Sequence, residues 1–169
     1  MEAGKLSTAQ MHVVPEGDIG LVYCTNPDKA AENAAEFKEM FMGQEGVAEV
    51  LLPDRFEEVG LQHPRDYRQS PDAILVAADG YAVAGSVEGE TLVTSNTEAK
   101  TSLGSHGFIS TLPKMKALCV ISGAGIRPGT HLPTVENIDI APTIAASRNL
   151  NYPHSDGKPL AEALGSLDE

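Results

Sequence analysis

The chain has 169 residues, 41% of them hydrophobic, and a formal net charge of −12. That length allows a single domain with a substantial buried core. The negative charge repels nucleic-acid phosphates and anionic lipid surfaces, and no apolar run reaches the roughly 18 residues of a membrane-spanning helix, so we expect neither nucleic acid nor a membrane as a partner.

The first part of the chain predicts strands separated by one long helix. Residues 1–17 combine polar residues with Pro and Gly, which predicts an extended lead-in. Short apolar runs predict strands over 19–24 and 47–52. Between these strands, from Asp28 to Met42, apolar residues recur at helical spacing with charged residues between them, which predicts an amphipathic helix. A short helix is expected over 54–59, closed by a glycine.

The second part of the chain continues this alternation. The run AILVAA over 73–78 is apolar on both faces, as in a central strand covered by helices on both sides. Residues 86–103 are polar and predict a hairpin or an irregular excursion. The run ALCVIS predicts a strand over 117–122. A helix is expected over 139–147, with Asp139 at its N-cap or in its first turn.

The order of these elements predicts the fold class. Strands that alternate with helices indicate an α/β fold, which we expect to be a mostly parallel sheet flanked by helices. No linker interrupts residues 18–169, so the sequence predicts one domain there. The two cysteines, Cys24 and Cys119, lie in apolar runs and are expected to be buried free thiols.

One histidine stands out as a candidate functional residue. His106 lies in the sequence GSHGF between small residues, just before the strand predicted over 117–122. Functional side chains favour loops that a rigid sheet positions. Two interpretations remain open from the residues alone, an exposed loop histidine without function and a metal ligand. His63 has Asp66 nearby and is interpreted as a surface residue.

Several motifs in a fixed order extend this observation. They are GSHG around His106, then Met115, then SGAGI after the apolar run, then NIDIAPTIAA. Together they resemble the C-terminal part of the type I phosphodiesterase/nucleotide pyrophosphatase family, which belongs to the alkaline phosphatase superfamily. The resemblance also covers GLQHPRD and the closing DGKPL, and runs from about residue 19 to residue 164. It implies the C-terminal part of an alkaline-phosphatase-like fold.

The resemblance also implies a chemistry. Members of this family hydrolyse phosphate esters or pyrophosphate bonds, including those of nucleotides, with two zinc ions and a Thr or Ser nucleophile. His106 is the position that matches a metal ligand, and no residue here matches a catalytic one. The nucleophile and the other ligands lie upstream in family members. We therefore expect this chain to be inactive alone and not to hold zinc alone.

Three hypotheses for the function follow. In the first, the chain is the C-terminal part of a metal-dependent phosphodiesterase or nucleotide pyrophosphatase and contributes His106 to its zinc site. In the second, it is a stand-alone binding or structural module without hydrolytic activity. In the third, it is a subunit that docks on a separate chain carrying the remaining ligands. Apolar surface left open by a missing part would favour docking to that part or self-association.

Overall fold

A computed structural model describes residues 9–86, 90–95 and 106–165 of the chain. The chain divides into two compact units, the first ending at Lys116 and the second beginning at Ala117. Compact units of this size can be parts of one domain, so the single domain predicted over residues 18–169 stays a prediction.

The first unit is built on a four-stranded sheet in which every neighbouring pair of strands is antiparallel. The spatial order is β1-β2-β4-β3. The strands are β1 Met11–Glu16, β2 Ile19–Cys24, β3 Val47–Leu51 and β4 Ala73–Ala77. The predicted mostly parallel sheet flanked by helices, as in an alkaline-phosphatase-like fold, is therefore wrong.

The physical reason is that side chains alternate between the two faces of a strand whatever the direction of its neighbours. A strand that is apolar on both faces therefore indicates that both faces are covered, and not that the sheet is parallel. The first hairpin also favours the antiparallel arrangement. Gly17 and Asp18 join β1 to β2 in a tight turn, and Gly17 has a positive φ of 74° that glycine adopts readily.

Helix α1 (Ala30–Phe41) covers one face of this sheet. A 3-10 turn over Pro27–Lys29 leads into it, where the Asn26 side chain accepts a hydrogen bond from the Asp28 amide at 3.1 Å. Phe37 is 3% exposed, and the apolar cluster at this face is Val22, Ala34, Phe37, Val50 and Ala73. The charged residues between its apolar positions leave α1 amphipathic, as the sequence predicts.

The opposite face of the sheet packs on the 3-10 helix Pro53–Val59. Phe56 from this helix is fully buried and belongs to a second cluster with Leu51, Ile74 and Val76. Gly60 ends the helix in the left-handed conformation, with a φ of 77°. β4 thus contributes alternate side chains to a cluster on each face, which accounts for its continuous apolar sequence.

The second unit is centred on helix α2 (Ile140–Ser147), which follows a 3-10 turn at Asn137–Asp139. The fully buried Thr143 donates to the Asp139 carbonyl oxygen at 2.6 Å and accepts from the Leu160 amide at 2.9 Å. Asp139 occupies the N-cap position without a capping hydrogen bond, and its carboxylate accepts from the Lys158 amide at 2.8 Å. The segment after α2 is therefore held against the start of that helix.

Most predicted elements are confirmed to within a residue or two, but three predictions need correction. Residues 11–16 of the expected lead-in form β1, while residues 1–8 lie outside the described residues. Residues 117–122 form no strand, and Cys119 is exposed instead of buried, while Cys24 is partly buried. Of the stretch 86–103, residues 86 and 90–95 are described and belong to no strand or helix.

Within the described ranges, none of the helices has the length and apolar character needed to cross a bilayer.

Candidate functional site

His106 begins a segment over residues 106–116 that we call the His106 loop. The imidazole is exposed. The preceding residues of the predicted motif, Gly104 and Ser105, lie outside the described residues. The loop belongs to the first unit. The contacts between this loop and the rest of the first unit determine how rigidly the backbone at His106 is positioned.

Gly107 attaches the beginning of the loop to the hairpin between β1 and β2. A Cβ atom built on Gly107 would lie 1.5 Å from the carbonyl oxygen of Glu16 and 3.3 Å from the amide nitrogen of Gly17. Gly107 also has a φ of 77°. Glycine alone combines this positive φ with so close an approach of two backbones. The residue after the imidazole is thus fixed on the turn of the hairpin.

Two contacts attach the middle of the loop to the core. Ile109 is partly buried against the cluster that contains Phe56. Next to it, the Ser110 hydroxyl donates to the Val59 carbonyl oxygen at 3.4 Å. The loop therefore packs on the side of the sheet that carries the 3-10 helix Pro53–Val59.

Lys114 attaches the end of the loop to the turn after β4. Its ammonium group donates to the Asp79 carboxylate at 2.5 Å and lies 4.5 Å from the centre of the Phe108 ring. The hydrogen bond from Lys114, and then its positive charge, lower the pKa of Asp79. Because a cation over an aromatic face is attracted by the ring, the two contacts made by Lys114 reinforce each other.

The described residues do not by themselves supply a zinc site around His106. A catalytic zinc takes about three protein ligands. Within residues 9–86, 90–95 and 106–165, no group of three or more His, Cys, Asp or Glu side chains is placed to hold a metal ion. His106 fits as one imidazole donor, and the other donors of a two-zinc site would have to come from outside these residues. The assignment of His106 as a metal ligand stays a prediction.

His63 and the glycine-rich loop after residue 122 have structural explanations. The Nδ1 atom of His63 accepts a hydrogen bond from the Arg65 amide at 3.0 Å, within its own turn. In the loop GAGIRPG, Gly123, Gly125 and Gly129 all have positive φ angles. Positive φ angles are typical of glycines in turns, which explains these glycines by the path of the backbone.

Two further groups of titratable side chains, around Cys24 and around Arg55, have structural roles. Burial of the Cys24 thiol, and then the charge of Asp72, raise the pKa of Cys24 to about 11, so this thiol is protonated at neutral pH and is a poor nucleophile. The partly buried Arg55 side chain donates to both carboxylate oxygens of Glu58, at 2.8 and 2.6 Å, and also to Glu49. Its hydrogen bonds lower the pKa of Glu58. These arrangements are structural.

The sequence pointed to His106 and Gly107 but not to the residues that hold them. Gly107 has a positive φ, which suits a glycine in a tight turn. The contact with Glu16 is made by its backbone carbonyl group, so the type of residue at position 16 does not indicate it. The pair formed by Lys114 and Asp79 joins residues far apart in sequence, and nothing in their local patterns links them.

Comparisons with protein-family models, with curated proteins and with solved structures found no match to this chain.

Proposed function

We propose that this chain is the C-terminal part of a metal-dependent phosphodiesterase or nucleotide pyrophosphatase, in which His106 is one zinc ligand. The nucleophile and the remaining ligands would come from polypeptide outside this sequence. The proposed substrates are phosphate esters or pyrophosphate bonds. The proposal begins from the resemblance carried by GSHGF, SGAGI and NIDIAPTIAA.

The observation that carries the proposal is the way in which His106 is presented. Its imidazole is exposed, while the next residue is fixed against the Glu16 carbonyl group. A ligand on a backbone that is already fixed loses little conformational entropy when it binds a metal. The close approach of Gly107 to Glu16 supports the proposal because it holds the backbone next to the imidazole.

The charge of the chain is compatible with a phosphate-ester substrate. The formal net charge of −12 would repel a phosphate group. When bound, two zinc ions supply positive charge to the phosphoryl oxygens and activate an attacking oxygen. In this chain, His106 would offer one imidazole nitrogen to a zinc ion, Gly107 packs its backbone against the Glu16 carbonyl group, and Lys114 holds the far end of the loop on Asp79.

The experiment uses the polypeptide that results when this sequence is extended by what its gene encodes upstream. We would measure zinc-dependent release of nitrophenol from bis(4-nitrophenyl) phosphate. The His106→Ala variant should lose at least about 100-fold in rate, because changes to residues that merely support a zinc ligand already cost 10- to 100-fold. The matched control is His131→Ala, which removes another exposed imidazole.

Equal rates for the His106→Ala and His131→Ala variants would contradict the proposal. So would an extended polypeptide without zinc-dependent hydrolysis, and in that case the stand-alone binding or structural module would be favoured. If activity requires a separate chain to be mixed in, and then depends on His106, the chain would instead be a complementing subunit. The three hypotheses thus give three different results.

A further inference from the structure

The first compact unit ends at Lys116 and the second begins at Ala117, so one peptide bond separates them along the chain. Every residue from Lys116 to Val120 is exposed, and none from 116 to 122 belongs to a helix, turn or strand. Lys116 has a φ of −67° and a ψ of 132°, which is an extended conformation. None of the described backbone hydrogen bonds joins residues 117–122 to another described residue. The bond between the units therefore lies in an exposed, extended segment.

Such a segment meets the conformational requirement of a protease. Proteases bind the residues on both sides of the scissile bond in extended form, through main-chain hydrogen bonds like those of an added strand. A helix or sheet must open locally before it can be bound in this way, which makes cleavage within such elements slow. At residues 116–122 no described helix or strand has to open.

The charge of Lys116 determines which class of protease fits. A lysine before the scissile bond is recognised by an S1 pocket that carries a carboxylate, as in trypsin. The ion pairs among the described residues do not include Lys116, whereas Lys114 is paired with Asp79. No Asp or Glu occurs at positions 99–135, so no neighbour in the sequence competes with the pocket for the ammonium group or repels its carboxylate.

We propose that the Lys116–Ala117 bond is a processing site for trypsin-class serine proteases, which divide this chain into its two units. The protease serine attacks the Lys116 carbonyl carbon, and the Ala117 nitrogen leaves with a proton as a new amino terminus. Water then hydrolyses the acyl-enzyme and frees the Lys116 carboxylate. The net change is the addition of one water. The His106 loop stays whole on the first fragment, and the inference does not depend on the proposed zinc ligand.

The second unit should resist further cutting by the same protease. Its three basic residues are Arg127, Arg148 and Lys158. Arg127 and Lys158 each precede a proline, which removes the amide hydrogen after the scissile bond and restricts the residue before it. Arg148 follows α2, and its amide and the next two all donate to carbonyl groups of that helix. Residues 117–169 should therefore accumulate as one fragment.

The basic residues before Lys116 give the comparison within the first unit. Those in helices or hydrogen-bonded turns of the described chain are Lys29, Lys38, Arg55, Arg65, Arg68 and Lys114. Cutting after them requires local opening. Lys5 and Lys100 lie outside the described residues. A cut at any of these earlier positions other than Lys114 shortens the first fragment and leaves Ala117 available as the start of the second.

The test is limited proteolysis of the folded chain with a low ratio of trypsin, with fragments identified by intact mass. A fragment of residues 117–169 should accumulate at a rate within about 10-fold of that for a free peptide of residues 112–122, because no opening step precedes the cut. Urea below the unfolding transition should leave this rate unchanged relative to the peptide. The rate of cutting after Arg55, in the 3-10 helix, should rise with urea.

Two variants test the bond itself. Lys116→Gln removes the recognised charge, and Ala117→Pro keeps the charge but places proline after the scissile bond. Each should slow the release of 117–169 at least about 100-fold. The extended Lys116 suits a residue before proline, and the Ala117 amide makes none of the described hydrogen bonds, so Ala117→Pro should keep the fold. The matched control is Lys29→Gln, which removes another exposed lysine and should leave the rate unchanged.

Several results would overturn the proposal. They are a chain from which 117–169 does not accumulate, a rate more than about 10-fold below that of the peptide, and a rate that rises with urea in parallel with cutting after Arg55. Release of the fragment at the wild-type rate from Lys116→Gln or from Ala117→Pro would also overturn it. Circular dichroism of each variant before digestion checks that the fold is retained.

Discussion

Gly107 lies so close to Glu16 that a Cβ atom on Gly107 would be 1.5 Å from the Glu16 carbonyl oxygen. This relationship fixes the residue after the imidazole on the first hairpin. It also predicts the effect of a substitution at Gly107. In Gly107→Ala, either the loop or the hairpin must move, because both contacting groups are backbone.

We expect Gly107→Ala to lower the free energy of unfolding by more than about 2 kcal/mol, since a strained φ and a steric clash add. Gly60→Ala is the matched control. Gly60 has the same φ of 77° but nothing within 4 Å of an added Cβ. It should cost only about 1 kcal/mol for the left-handed conformation. Urea unfolding measures both values, and equal losses would show that the Glu16 contact is not restrictive.

The cluster under the His106 loop should depend strongly on Phe56. Phe56 is fully buried, and the partly buried Ile109 of the loop packs against its cluster. Phe56→Ala should lower the free energy of unfolding by about 3–5 kcal/mol. Met40→Ala is the control, because Met40 is 59% exposed. It should change stability by about 1 kcal/mol or less, and a Phe56 loss of that size would contradict the core assignment.

The Cys24 thiol should ionise well above neutral pH. Burial and Asp72 raise its pKa from the ordinary thiol value of 9.0 to about 11. In a Cys119→Ser background, where Cys24 is the remaining thiol, the rate of alkylation by iodoacetamide should rise with a midpoint near pH 11 in the folded chain and near pH 9 in urea. A folded-state midpoint near pH 9 would contradict the burial of this thiol.

The same shift makes stability depend on alkaline pH. A pKa that is raised in the folded state favours folding with the thiol protonated. This contribution is complete below about pH 9 and is lost as pH rises toward 11. The urea midpoint of Cys119→Ser should therefore fall more steeply over that range than the midpoint of the Cys24→Ala/Cys119→Ser variant. Parallel curves would show that Cys24 makes no such contribution.

The contact between Lys114 and Asp79 should contribute to stability at neutral pH and low salt. The hydrogen bond and charge of Lys114 lower the pKa of Asp79, so the contribution is present above the ordinary carboxyl pKa and is lost as pH falls through the lowered value. Asp79→Asn should lower the urea midpoint at pH 7, and the difference from wild type should shrink in acid. Because the pair is exposed, 1 M salt should reduce it as well. A difference that neither acid nor salt reduces would contradict an ion pair.

The sequence predicted the strands of the core but not their directions. Apolar runs located β2, β3 and β4, and the helical spacing located α1, because burial on a strand or helix face leaves a period in the sequence. The direction of β4 relative to β2 leaves no such period. Strand β1 was missed because Pro15 reads as a loop residue. At a sheet edge its missing amide donor is tolerated.

The strand predicted over 117–122 failed for a related reason. Its apolar residues meet the side-chain requirement, but a strand also needs hydrogen bonds from a neighbour. None of the described backbone hydrogen bonds supplies one. For the site, the sequence singled out His106 and the small residues beside it. The Glu16 carbonyl and the Lys114 contact arise from the antiparallel sheet, which the sequence did not predict.

We expect the isolated chain not to hydrolyse phosphodiesters. Under the proposed function, the nucleophile and the zinc ligands other than His106 lie outside this sequence. The assay is nitrophenol release from bis(4-nitrophenyl) phosphate with added zinc, and the rate should equal that of zinc in buffer. Turnover that persists through purification and disappears in His106→Ala would show that the chain holds a complete site.

The most direct test of the assignment of His106 is zinc binding by the polypeptide extended upstream, measured by titration calorimetry. A two-zinc site that includes His106 predicts two zinc ions per chain, with one of them lost or at least about 100-fold weaker in His106→Ala and both retained in His131→Ala. If His106→Ala binds two zinc ions with unchanged affinity, His106 is not a ligand and the proposed function loses the residue that this chain contributes.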